Sequence, residues 1–184
     1  MPLPRGWTPA ALSAWSRIGW TTPVWRAHNR RYAATDAGGS RRVTGRYHRA
    51  PDLFPGGNTW AALYCATTYG VCLGEIVRHL PPTGGGAWLA NYRLTRLDVR
   101  LSAVLDGRDL AAVGLTPEDL FHDDYAVSHA VAAAALAAGV EALLVPSATR
   151  LPDPVLVIFP DALQPGSRVH EMDSVDPALH RSGA

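Results

Sequence analysis

The 184-residue chain contains no lysine; all 17 of its basic residues are arginine. A P-loop is thereby excluded, because its lysine is the residue that reaches the phosphates. No GxGxxG run opens a helix either, which removes the usual dinucleotide fingerprint. The missing lysine and the many alanines both point to a GC-rich coding sequence, so the number of arginines carries no functional message by itself. Cysteine is nearly as scarce. Cys65 and Cys72 stand seven residues apart within apolar runs, a spacing that matches no zinc motif and a number too small for a disulfide framework. Both are expected to be reduced packing residues. The histidines are scattered without HxxxH or HExxH pairing, so no metal is expected. No apolar run approaches the eighteen residues of a membrane span. The first residues lack the basic start and apolar stretch of a signal peptide. A cytoplasmic location without membrane contact is the expectation.

What is present reads as one globular domain. Nearly half the residues are apolar (47%) and 18% are charged, which is enough to bury a proper core. The net charge of +1 hides an uneven distribution. Seven arginines (26, 30, 31, 41, 42, 46 and 49) face a single acid, Asp36, between Arg26 and Arg49. Nonspecific nucleic-acid binding needs a broader basic surface, so a local site for a phosphate or pyrophosphate fits better.

Along the chain, Thr8-Pro9 predicts a capped helix over 8–18, and Pro23 to His28 a short strand with Val24, Arg26 and His28 on one face. Val43 to His48 reads as a strand, 51–58 as a breaker-rich loop, and Trp60 to Ala66 as an apolar strand. Thr67 or Thr68 caps a helix that Pro81-Pro82 ends, and Gly84 to Gly86 reads as flexible linkage. Ala87 to Arg100 suits one or two strands, Ser102 to Asp106 a short edge, and Arg108 to Val113 a short helical piece. Thr116-Pro117-Glu118-Asp119 is a helix start, and Asp124 to Ala138 an Ala-rich helix ended by Gly139. Val140 to Val145 and Val155 to Phe159 are strands around the loop 146–154. The stretch from Pro165 is polar, with a short helix over 177–180. Without strict βαβ alternation, the order predicts an α+β fold with mainly antiparallel sheets. The divisions expected are a helical lead-in over 1–20, a central domain over 21–164 and a polar tail over 165–184.

Three residues in the stretch 41–80 ask for a chemical reason. Arg46 follows Gly45, and an arginine fork donates two parallel hydrogen bonds to a phosphate. Tyr64 lies inside an apolar run. Glu75 falls near the buried stripe of its helix, where a carboxylate must find a partner or act chemically. Structural readings stand beside these. Glu75 could pair with Arg78 three residues on, Tyr64 could be core, and Ser147 beside Pro146 could be a turn residue.

In this order the chain resembles the RES domain family. The resemblance rests on Trp25-Arg26, Gly45-Arg46 and its aromatic, Leu63-Tyr64-Cys65-Ala66, Glu75 after Cys72, Asp123-Asp124-Tyr125, and Gly139 running to Pro146-Ser147-Ala148. Tyr47 and His48 replace the family's usual Trp or Phe followed by Asn. The resemblance implies an ADP-ribosyltransferase-like fold that splits nicotinamide from NAD+, with NAD+ as substrate. It also implies a toxin held by an Xre-like helix-turn-helix antitoxin, so that nucleic acid is met only through that partner. By position it assigns Glu75, Arg46 and Tyr64 to catalysis, and Arg26, Arg46, Tyr64 and Ser147 to NAD+ binding. Water, phosphate or a macromolecule remain open as acceptors, giving a glycohydrolase, phosphorylase or ADP-ribosyltransferase. In that scheme Glu75 meets the charge developing on the ribose. Arg46 and Arg26 hold the pyrophosphate, Tyr64 stacks on the nicotinamide end, and Ser147 binds the amide or a ribose hydroxyl. The alternative is a domain of the same fold that binds a nucleotide or a partner without turnover, and an RNA-binding module ranks last.

Overall fold

The computed structural model describes residues 9–81 and 85–177. In chain order these form β1 (Ser16–Trp20), β2 (Val24–Asn29), β3 (Leu63–Ala66), α1 (Tyr69–Arg78), α2 (Gly85–Leu89) and β4 (Tyr92–Asp106). Then come α3 (Pro117–Phe121), α4 (Ala126–Ala137), β5 (Ala142–Val145), β6 (Val155–Ile158) and β7 (Arg168–Val175).

The long strand β4 organises the sheet because both of its edges are paired. Along one edge β2 is antiparallel to residues 92–97 and β1 to residues 101–106. On the other edge β7 is antiparallel to residues 94–100, and β5 is parallel to residues 104–106. From β2 the ladder continues through β3 and β6 to β5, all antiparallel, and β5 returns to β4. The pairings therefore close into a circuit, and the fold is α+β with one parallel step. Alternation along each strand separates two apolar clusters. Val24, Leu63, Leu97, Leu144, Leu156 and Ile158 pack together on one face of the sheet. Leu94, Leu143 and Val157 on the other face pack with Ile76, Leu120 and Val131 of the helices.

Helix starts follow their capping chemistry. The Thr68 hydroxyl accepts from the Val71 N–H at 3.4 Å to begin α1. At α3 the Asp119 carboxylate accepts from the Thr116 N–H at 2.8 Å, with Pro117 in the first turn.

Several expectations are corrected. The helix over 8–18 is, in its described part, a single 3-10 turn, Pro9–Leu12, after which β1 joins the sheet. Trp15 is buried there and its indole N–H donates to the Asp109 carbonyl at 2.6 Å, so the chain is pinned before a second helical turn. Residues 43–48 form no strand; a lone bridge between Gly45 and His48 closes a turn. Gly85 and Gly86 begin α2 instead of a flexible link, and 92–106 is one continuous strand. The expected polar tail supplies β7. Of the short helix expected at 177–180, all but Pro177 lies outside the described residues.

Candidate active site

A cavity of about 430 Å³ lies on the face of the sheet that carries the helices, within the range of small-molecule sites. Alternation on β3 decides what it meets. Leu63 and Cys65 join one cluster, while Tyr64 and Ala66 face the other side and line the cavity, which Cys65 borders between them. Tyr64 is 37% exposed as a residue, yet its hydroxyl is enclosed. That hydroxyl accepts from the Tyr47 N–H at 2.8 Å and meets His48 Nδ1 at 2.9 Å. His48 Nε2 lies 2.7 Å from the Val43 carbonyl, which can only accept. The proton of His48 is therefore on Nε2, and Nδ1 accepts from Tyr64. Burial keeps His48 neutral by lowering its pKa, and burial likewise raises the Tyr64 phenol well above its ordinary value. Tyr64 is thus a fixed ring wall whose hydroxyl is spent on the turn and gives no proton to the cavity.

The turn at 45–48 brings Arg46 to the same cavity. A side chain on Gly45 would stand 2.4 Å from His48 Cε1, so only glycine allows that imidazole to approach. From α4, His129 Nε2 donates to the Gly45 carbonyl at 2.8 Å and holds the turn from below. Arg46 Nη1 donates to the carbonyls of Leu120 and His122, the latter at 2.9 Å. Its guanidinium carbon sits 5.1 Å from the centroid of the Tyr125 ring. These contacts fix the plane of the fork and leave Nε and Nη2 without a protein partner among the described residues.

Glu75 comes from α1. Val71, Cys72 and Ile76 form its buried stripe, and the carboxylate at 75 is carried half-buried at the edge of that stripe. One oxygen, Oε1, accepts from the Ser147 hydroxyl at 2.6 Å. Ser147 is only 1% exposed. Having given its proton to Glu75, its oxygen accepts from the Thr149 N–H at 3.1 Å and the Thr149 hydroxyl at 2.7 Å. The loop behind it turns through Arg150 at φ 61°, a left-handed residue that costs roughly 1–3 kcal/mol. Glu75 Oε2 has no protein partner among the described residues. Glu75 makes no ion pair with Arg78, although both line the cavity.

Arg46, Tyr64 and Glu75 are therefore brought to one cavity. Ser147 stands directly behind Glu75, where it can act through the carboxylate. Arg26 is elsewhere. Its face of β2, shared with Val24 and His28, is the one opposite the cavity, while Trp25 and Ala27 line the cavity instead. The Arg26 guanidinium donates to the carbonyls of Ala34 and Asp36, the latter at 3.0 Å, so it braces the 30–37 loop and does not reach a ligand there. The arginine-rich segment disperses in the same way. Arg30 pairs with Asp176 at 2.9 Å, Arg41 pairs with Asp161 at 2.6 Å, and Arg49 lies over the Phe54 and Trp60 rings. Cys65 and Cys72 are free and buried, and burial pushes the Cys65 thiol up to about 12, which leaves both as packing groups.

His48, His129 and Arg78 take places at the site that the sequence reading did not assign. The signal for Arg78 was its i+3 spacing from Glu75, read there as an ion pair. His48 and His129 carry no pattern that announces a shared turn. Among the described residues no cluster of three or more His, Cys, Asp or Glu is placed to hold a metal. No helix among them is long and apolar enough to cross a membrane.

A family model described as the RES domain matches residues 23–180. The NAD(+) phosphorylase MbcT of Mycobacterium tuberculosis (strain ATCC 25618 / H37Rv) is 29% identical over 177 residues, covering 92% of this chain and 91% of its own. The NAD(+) phosphorylase MbcT of Mycobacterium bovis gives the same identity and coverage. A chain of the crystal structure of the M. tuberculosis MbcT–MbcA toxin–antitoxin complex matches with a TM-score of 0.79 at 27% identity, covering 98% of this chain and 97% of that one. With the match running from β2 past the end of β7, the chain belongs to the RES domain family.

Proposed function

We propose that the protein cleaves the nicotinamide–ribosyl bond of NAD+ with inorganic phosphate as acceptor, acting as the toxin of a toxin–antitoxin pair. The observation that carries this reading is the carboxylate of Glu75, held through Oε1 by a buried serine while Oε2 is left to the cavity that Arg46 and Tyr64 share. The bond between ribose C1 and the pyridinium nitrogen breaks, and its electron pair neutralises the ring, so nicotinamide leaves uncharged and needs no acid. Positive charge develops on the ribose, where a fixed carboxylate is stabilising. A phosphate oxygen then bonds to C1, giving ADP-ribose 1-phosphate and free nicotinamide.

The tasks divide among the residues. Glu75 stabilises the ribosyl cation and accepts from a ribose hydroxyl through Oε2. Ser147 keeps the carboxylate in place and is a positioning residue. Arg46 presents Nε and Nη2 to a phosphate group of the substrate. The Tyr64 ring stacks against the nicotinamide end, its tilt set by His48. The choice of phosphate follows the name of the similar MbcT proteins, and the antitoxin follows the complex in which a similar chain is found. Such a partner covers the cavity mouth, and the NAD+ and phosphate consumed are those of the cytoplasm. Purified protein is incubated with NAD+ with and without phosphate, and products are separated and weighed by mass spectrometry. ADP-ribose 1-phosphate formed only with phosphate supports the reading; free ADP-ribose at an equal rate without phosphate removes the acceptor; intact NAD+ removes the reaction.

A further inference from the structure

The cavity continues along α1 beyond the corner that holds Glu75. Arg78 follows Glu75 by three residues and so lies on the same flank of the helix, with Cβ atoms about 5–6 Å apart. It is exposed, lines the cavity and makes no hydrogen bond or ion pair among the described residues. Past it, α2 and the first residue of β4 bring two aromatic rings to the same cavity. Trp88 and Tyr92 stack with centroids 4.3 Å apart and planes 30° apart, and both are only partly buried.

This stack is held by the fold. Leu89, 1% exposed, anchors α2 in the core. The Asn91 N–H donates to the Trp88 carbonyl at 3.1 Å, and the Arg30 N–H donates to the Asn91 carbonyl at 2.9 Å, tying the end of α2 to the end of β2. An arginine near a helix C-terminus is favourable by itself, and a Trp–Tyr pair packs favourably by itself. What neither explains is an uncommitted guanidinium that shares one cavity with the Glu75 carboxylate and a partly open aromatic stack.

We infer that Arg78 and the Trp88–Tyr92 stack form the subsite for the adenosine diphosphate half of the dinucleotide. Arg78 donates to a diphosphate oxygen, and the adenine ring stacks on the indole of Trp88. The inference rests on the proposed reaction for the placing of the nicotinamide end at Glu75. It gives the tethering role first expected of Arg26 to a residue that lines the cavity.

Two measurements test it. The first compares turnover of NAD+ with turnover of nicotinamide mononucleotide, which has the same reacting bond and no adenosine. Trp88→Ala is expected to lower the ratio of kcat/KM for NAD+ to that for the mononucleotide by about tenfold, the scale of one base–aromatic stack. The loss falls mainly in KM for NAD+, and Trp88→Phe, which keeps a ring, retains most of the ratio. An unchanged ratio overturns the subsite. The second is calorimetric titration of ADP into the full chain. Wild type binds, and Trp88→Ala and Arg78→Gln each weaken binding by roughly tenfold. A wild type that consumes NAD+ but binds no ADP at millimolar concentration overturns the subsite and leaves the reaction standing. A wild type that binds ADP through Trp88 and Arg78 but leaves NAD+ intact supports the subsite and overturns the reaction.

Discussion

Ser147→Ala separates a serine that acts through Glu75 from one that touches substrate. In the structure the serine proton is committed to Glu75 Oε1 at 2.6 Å, and its oxygen accepts from the Thr149 N–H and hydroxyl. A hydrogen bond to a charged group contributes about 1.5–3 kcal/mol. If most of that holds the carboxylate against the ribosyl cation, kcat falls by about 10- to 100-fold at 1.36 kcal/mol per decade. KM for NAD+ changes little, because no substrate atom is lost as a partner. The Thr149 N–H loses its acceptor at the same time, at a stability cost of roughly 1–3 kcal/mol, or a fall in Tm of about 2–12 °C for a domain of this size. The assay is steady-state nicotinamide release at 25 °C, well below the variant's unfolding transition followed by circular dichroism. A variant with intact kcat and a raised KM would refute this assignment and restore direct substrate contact by Ser147.

Three further outcomes follow from the same packing. Arg26→Ala leaves KM for NAD+ unchanged and lowers unfolding stability by about 2–4 kcal/mol, since two loop carbonyls lose charge-assisted donors; denaturant titration beside kinetics checks it, and a large rise in KM contradicts the bracing role. Glu141 is fully buried, and its carboxylate accepts from the N–H groups of Ser102, Ala103 and Gln164 at 2.6, 2.7 and 2.7 Å. Burial opposes its charge, but these hydrogen bonds outweigh that and lower its pKa. Glu141→Ala leaves three backbone N–H groups without their acceptor, at about 1–3 kcal/mol each, and is expected to destabilise by about 3 kcal/mol or more in urea unfolding. Burial lowers the pKa of His28, His48 and His129 in the fold. The unfolded chain therefore binds more protons below its ordinary value of about 6.5, and stability present above that pH is lost as pH falls through the depressed folded values. Tm measured from pH 7.5 to 5.5 should decline, with a shallower slope for His129→Gln.

Local chemistry made some elements legible and left others hidden. Thr68 and the Thr116–Asp119 pair announce α1 and α3 because a cap is written within four residues. β7 could not be read, since Arg168 to Val175 is exposed along most of its length and has no apolar face; it is a strand because β4 offers an unpaired edge far away in sequence. β1 was hidden for the same reason, behind a Pro9 that signals a helix start. The strand period placed Arg26 with Val24 and His28 correctly, but which face of β2 looks into the cavity depends on where the helices pack. Glu75, Arg46 and Tyr64 were legible as residues out of keeping with their surroundings. His48 and Arg78 were not, because their roles depend on a turn and on a cavity formed by distant segments.

The measurement that tests the central claim most directly is the rate of NAD+ loss in phosphate buffer for wild type and Glu75→Gln, followed by nicotinamide release. Glutamine keeps an oxygen that can accept from Ser147 but carries no charge to meet the ribosyl cation. The account predicts rapid loss with wild type and a fall of about 100-fold or more with the variant, at nearly unchanged stability. Equal rates for the two proteins would contradict it.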